Sequence, residues 1–256
     1  MTTLACNVAD STTMLRRVVR HTGRNPSVVI MSFVLPLVML LLFNYAFGGA
    51  LNSGGVTYID YVVPGVLMMG VVYSVQATAL AVNADVSEGI IDRFRTMPIA
   101  RTAVLTGHVV ASTLRTLVGL ALVIGVALAI GFRPTANPLR WGAVIGLVAL
   151  LLFALAWLAT AFGLAAKTAT GAGGMSAIVS LFPFLSGAFV PTDTMPGWLR
   201  VFTANQPLTQ VIDALRGLLL GWPVGDHAWS AVAWCAGIAA GGYVWSRSLY
   251  SRRAAQ

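Results

Sequence analysis

Charge is what this chain has least of. Only 9% of its 256 residues are Asp, Glu, Lys or Arg, against about 25% in a soluble domain. A water-exposed surface cannot be built from so few, so the solvent for most of the chain is lipid. Acid is scarcer still, with eight Asp and Glu in all. A proton-coupled carrier or ion channel places acids or charged rings within the membrane. Here Asp60 and Asp85 fall near the two ends of one apolar stretch. Cysteine is limited to Cys6 and Cys235, with no metal or redox spacing. His21, His108 and His227 are scattered. No G-x-S-x-G, no H-E-x-x-H and no glycine-rich phosphate loop occurs. Lys167-Thr168 follows alanines, without the glycines that let backbone N–H groups surround a phosphate. The sequence therefore offers neither catalysis nor a nucleotide site, and no cofactor is expected on this chain. A net charge of +8 would suit nucleic acid only as a basic stripe on a soluble face. The arginines instead sit at the ends of apolar runs, so no nucleic-acid partner is expected.

What the chain has is apolar length. Hydrophobic residues make up 57% of it, and six stretches approach the roughly 20 residues that span a bilayer. They run Val28–Phe47 with Pro36, Tyr61–Ala84 with Pro64, about Val109–Ile130, Trp141–Ala166, about Ala172–Val190 with Pro183, and Trp229–Trp245. The fold class expected is an all-α integral membrane protein with six transmembrane helices, one domain covering 1–256. With the N-terminus inside, the inner segments hold eleven Lys and Arg, and the outer ones hold Arg133, Arg140, Arg200 and Arg216. That bias places both termini in the cytoplasm. Arg115 is left inside the third span. An arginine there is a functional candidate by default, although a place near the cytoplasmic end would let it snorkel. Gly237 and Gly241 form a G-x-x-x-G in the sixth span, a helix-packing pattern that is common by chance.

Three segments outside the spans are patterned. In 10–24, Met14, Leu15, Val18 and Val19 share one helical face, with Arg16, Arg17 and Arg20 opposite. Such a helix lies in the membrane surface, arginines toward lipid phosphates. In 191–223, Leu208, Val211, Ile212, Leu215, Leu218 and Leu219 follow helical spacing, with Thr209, Gln210, Asp213 and Arg216 on the other side. Pro207 opens this helix and Gly221 with Pro223 closes it. The segment is too polar to span and reads as two short helices dipping in from outside, beside a cavity. In 87–98, Asp85 and Glu88 have capping-box spacing. Ile90, Ile91, Phe94 and Met97 make one apolar face, flanked by Asp92, Arg93 and Arg95, and Pro98 ends the turn. Mixed charge and a single aromatic suit a protein groove better than lipid.

"EGIIDRFRTMPIAR" closely resembles the signature loop of type-two ABC export permeases, in the daunorubicin-resistance branch. "SGAFVPTDTMPGWLRVFTANQPLTQVIDALRGLLLG" is similar to that branch's outer re-entrant segment. The resemblance implies a coupling helix seated on a separate ATPase subunit, its contacts drawn from Glu88, Gly89, Ile90, Ile91, Asp92, Arg93, Phe94, Arg95, Met97 and Pro98. It also implies two ATPase copies that bind ATP and Mg, a second permease chain, identical or related, and residence in a bacterial cytoplasmic membrane. Weakly charged spans suit an amphipathic drug, lipid or glycolipid, with Phe33, Tyr73, Gln76 and Phe184 as candidate path residues. The rival reading is a membrane scaffold or sensor that docks a soluble partner without transport.

Overall fold

The computed structural model describes residues 26–47, 57–89, 103–189 and 195–254. Every regular element among them is helical. α1, Pro26–Leu42, continues into a π-helical turn, Phe43–Phe47. α2 is Tyr58–Ser87, α3 is Ala103–Ala129, and α4 is Pro138–Ala165. α5 is Ala169–Leu181, α6 is Gly197–Asn205, α7 is Pro207–Leu220, and α8 is His227–Ala254. Local chemistry sets several of these ends. Asn137 caps α4 by accepting from the Arg140 N–H at 2.8 Å, and Pro138 follows at the first helical position. Thr168 caps α5 through the Gly171 N–H.

Among the described residues three helices are long and apolar enough to cross a membrane: Tyr58–Ser87, Leu105–Ala129 and Pro138–Ala165. Phe33–Ala46 and Ala169–Leu181 are shorter apolar helices. Two boundaries differ from the sequence expectation. α3 begins six residues before Val109, at Ala103. α5 stops at Leu181, and turns occupy 182–189 where the fifth apolar stretch was expected to continue. Pro183 lacks the N–H that would extend the helix. The 13 residues of α5 reach only about 20 Å, short of the hydrocarbon core.

α2 is the axis of the bundle. It packs against α1, α3, α4, α5 and α7, while α8 lies along α4 and α7. Nearly the whole of its first half is buried, from Tyr58 through Val72. Polar side chains fix its contacts. Asn83, 2% exposed, donates to the carbonyls of Gly163 at 3.1 Å and Ala166 at 2.9 Å. Those carbonyls belong to the last turn of α4, where helical partners run out. Gly163 is needed at the same contact, since a Cβ there would meet the Ala79 carbonyl oxygen at 2.6 Å. Thr78 and Ser112 hydroxyls bond across the α2–α3 contact. Asp85 pairs with His108 of α3 at 2.9 Å. This corrects the capping-box reading, because Asp85 lies inside α2 and not at the start of a new helix. Among the described residues nothing packs on the G-x-x-x-G of α8, with open space where Cβ atoms of Gly237 and Gly241 would stand. The close approach to α4 falls at Gly242, whose Cβ would meet the Leu158 nitrogen at 2.8 Å.

Asn83→Ala strands two buried carbonyls, so it should destabilise the protein by about 1–3 kcal/mol. Thermal unfolding of the purified protein in detergent measures this. An unchanged midpoint contradicts the role given to Asn83.

Candidate functional site

α6 and α7 form a helical hairpin in which Leu208, Val211, Ile212, Leu215 and Leu219 of α7 are buried and Leu218 half-buried, while Trp198, Val201 and Phe202 of α6 are exposed. The expected helix between Pro207 and Gly221 is present, and Gly221 closes it in the left-handed conformation at φ 76°. The opposite side of α7 is where expectation and structure part. Gln210 and Asp213 remain partly open, but Thr209 and Arg216 are buried at 1% and 4% exposure.

Arg216 is held by three parts of the chain. Its Nε and Nη2 donate to the Tyr61 carbonyl at 3.3 and 3.2 Å. Nη2 also donates to the carbonyls of Gly187 at 2.8 Å and Ala188 at 3.1 Å. Nη1 reaches Asp213 at 3.2 Å. The guanidinium carbon stands 3.7 Å from the centre of the Tyr61 ring, a cation–π contact. The Tyr61 hydroxyl in turn donates to the Gly187 carbonyl at 3.1 Å. An arginine suits this place because its planar fork serves several acceptors while one face covers a ring. Gly65, one turn along α2, is required by the same approach: a Cβ there would meet the Ala188 oxygen at 2.6 Å.

The turns at 182–189 are thereby satisfied from outside themselves. Gln206 Nε2 donates to the Leu185 carbonyl at 2.6 Å, and the Thr203 hydroxyl to the same carbonyl at 3.0 Å. The Gly187 N–H donates to the Thr209 hydroxyl at 3.5 Å. Buried irregular backbone needs such partners wherever water is absent. Burial raises the pKa of Asp213, while Arg216 and His227 pull it the other way. Gln210 reaches His227 at 2.8 Å. None of this is acid–base or nucleophilic machinery. Among the described residues no group of three or more His, Cys, Asp and Glu could hold a metal. The network joins α2, the turns after α5 and α7 mechanically.

The family model for ABC-2 type transporters matches residues 11–220, from the N-terminal arginines through the end of α7. The chain belongs to the ABC-2 type transporter family. The daunorubicin resistance ABC transporter permease protein DrrB1 of Streptomyces coeruleorubidus is 34% identical over 230 residues, 86% of this chain and 80% of that one. The probable doxorubicin resistance ABC transporter permease protein DrrC of Mycobacterium tuberculosis is 26% identical over 239 residues, 90% of this chain and 84% of its own length. The putative transport permease ycf38 of Porphyra purpurea is 24% identical over 209 residues, 79% of this chain and 71% of its own. This is an ABC transporter permease, a multi-pass membrane protein.

The candidate residues of this ABC-2 permease do not meet in one place. Phe33 and Tyr73 are half-buried against the main core. Gln76 faces α5, its Nε2 3.8 Å from where a Gly173 Cβ would stand. Phe184 is 51% exposed and lies 6.0 Å from Phe189, which stacks on Phe43 at 4.3 Å. A cavity of about 390 Å³ opens elsewhere, between α3 from Leu117 to Ile124 and α4 from Trp141 to Val148. None of the four candidates lines it. Glu88 and Gly89 form the turn that ends α2, with Gly89 at φ 66°, so 87–89 closes one helix and does not begin the next. Ile90, Ile91, Asp92, Arg93, Phe94, Arg95, Met97 and Pro98 lie outside the described residues, as do Arg16, Arg17 and Arg20.

Sequence reasoning missed Arg216 as a structural centre. A usable signal was its setting, "ALRGLLLG", where one charge interrupts a half-helix of leucine. Replacing Arg216 with alanine takes the guanidinium from Asp213 and a donor from each of three carbonyls, of which Gly187 keeps the Tyr61 hydroxyl. It should cost about 3–5 kcal/mol, the range for breaking a buried charge network from one side. Arg216→Lys should recover part of that loss, since a point charge cannot repeat the fork. Thermal unfolding in detergent checks both. Equal stability of Arg216→Ala and the parent would contradict the assignment.

Proposed function

We propose that this chain is the membrane-spanning subunit of an ATP-driven exporter in a bacterial cytoplasmic membrane. Its cargo is an amphipathic drug, lipid or glycolipid taken from the cytoplasm or the inner leaflet. The observation that carries this reading is the unbroken family match over 11–220. It embraces both the charged segment after α2 and the α6–α7 hairpin. Relatives named for daunorubicin and doxorubicin resistance support a drug-like cargo. The apolar walls of the α3–α4 cavity agree with an amphiphile over an ion.

In this reading α1 to α4, α5 together with the turns at 182–189, and α8 make the six spans, and both termini are cytoplasmic. The N-terminal segment with Arg16, Arg17 and Arg20 lies on the inner surface. Two ATPase subunits supply ATP and Mg chemistry, and a second permease chain, identical or related, completes the path. This chain transmits force. The segment 90–98 follows α2 directly, and α3 resumes at Ala103. A push from the ATPase therefore acts on the inner end of α2, a helix of 30 residues and about 45 Å. At its other end Tyr61 is bound by Arg216, so the hairpin at the outer face must follow.

Phe94 is the largest apolar side chain of the coupling segment and should seat in a groove of the ATPase. Phe94→Ala should leave the permease inserted but weaken docking more than tenfold, for a loss of roughly 2–4 kcal/mol. Arg95→Ala should do less, since a rim charge mainly alters association rate. Co-purification with the ATPase and substrate-stimulated ATP hydrolysis in lipid measure this. Full docking by Phe94→Ala would sink the reading of 90–98 as the contact.

A second check addresses topology. With Cys6 and Cys235 removed, a cysteine at Asp226 should react with an impermeant thiol reagent added outside. Reaction from the cytoplasmic side alone would reverse the orientation.

A further inference from the structure

α2 and α3 run side by side in opposite directions, and three contacts fix how they match. Gly70 receives Leu120, since a Cβ on Gly70 would meet the Leu120 Cδ2 at 2.8 Å. The Thr78 and Ser112 hydroxyls bond to each other. His108 donates through Nε2 to the Asp85 carboxylate at 2.9 Å. Gly70, Thr78 and Asp85 are spaced by about two helical turns each, so they share one side of α2. Leu120, Ser112 and His108 likewise share one side of α3.

The three contacts differ in kind. Apolar packing is non-directional, so one helix can ratchet past another by a turn. A hydrogen bond is lost beyond about 3.5 Å, so the two polar pairs admit a single register. Val82 and Leu105, one turn from Asp85 and His108, belong to a buried apolar cluster, with Val86 packed against it. The polar pair thus supplies direction where its surroundings supply none. Its side chains keep 27% exposure at Asp85 and 16% at His108, and a partly exposed pair adds little to stability. Its effect falls on register.

α2 ends at Ser87 and α3 begins at Ala103. The pair therefore stands near both feet of the segment that joins them. We propose that Asp85 and His108 are positioning residues which, with Thr78 and Ser112, lock α2 and α3 into one rigid lever. The push on this lever comes from the ATPase at 90–98, as in the function proposed above, on which this role rests. With the lock closed, α3 moves with α2 and does not lag behind it.

Spin labels on cysteines at Ala84 and Leu122, both exposed, report the register in nanodiscs once Cys6 and Cys235 are replaced. Leu122 lies about 21 Å along α3 from His108, so a slip changes the distance between the labels directly. The permease alone should give one narrow distance. His108→Ala combined with Ser112→Ala should add a second population displaced by about 5 Å, one helical turn. Asp85→Ala or His108→Ala alone should show it in smaller proportion. Exchanging the pair, Asp85→His with His108→Asp, should restore the single distance in the Ser112→Ala background. Asn83→Ala, which frees α2 from α4, should lower the unfolding midpoint and still keep the single distance, unlike a general loss of packing. One unshifted distance in the His108→Ala, Ser112→Ala variant overturns the proposal, and so does an exchange no better than His108→Ala. A second arm adds the ATPase with ATP and vanadate. The parent's distance should not change there, and a shift overturns the lever. If no ATPase binds, the reading of 90–98 falls, and the first arm still decides the lock by itself.

Discussion

The arrangement of this permease depends on one buried cation. Arg216 sits where three pieces of chain far apart in sequence meet: the first turn of α2, the turns after α5 and the middle of α7. Each contributes a carbonyl or carboxylate that membrane burial would otherwise leave costly. A guanidinium can serve them together because its donors lie in one plane and its face rests on Tyr61. Remove that group, and α7 keeps its apolar contacts but loses what fixes it against α2. The hairpin is therefore a docked cap and not a free loop.

The same contact gives α2 its role. The helix is nearly encircled along its first half and satisfied by polar contacts along its second half, through Asn83 to α4 and through Asp85 to α3. A rod held at both ends passes displacement on with little loss. In the function proposed, α2 acts through stiffness and well-placed ends. Gly65 and Gly163 allow the close approaches on which that stiffness rests, one at each end.

Much of this was legible in the sequence because lipid imposes a coarse grammar. Scarcity of charge gave the class, and apolar length gave the positions of α1, α2, α4 and α8. Pro207 and Gly221 bracketed α7 because each acts locally on the backbone. Long-range pairing was not legible. α3 starts before its apolar run, and His108 in that early part pairs with Asp85 on α2, a contact that hydropathy alone does not show. Asp85 and Glu88 looked like a cap for the same reason, since their spacing is local and the partner of Asp85 is not. Arg216 was placed on a polar face by periodicity. Its true partners lie as far as 155 residues away. The groove between α3 and α4 is a packing defect of two helices, and no single-helix pattern encodes it.

Hydrogen exchange of the detergent-purified protein tests the clamp most directly, comparing the parent with Arg216→Gln. The account predicts faster exchange in α7, in the turns at 182–189 and in the first turns of α2 together. The α4–α8 contact, which is held by other groups including Trp157 and Ser246, should keep its protection. Faster exchange confined to α7, or none at all, would contradict the claim that Arg216 binds the three parts into one unit.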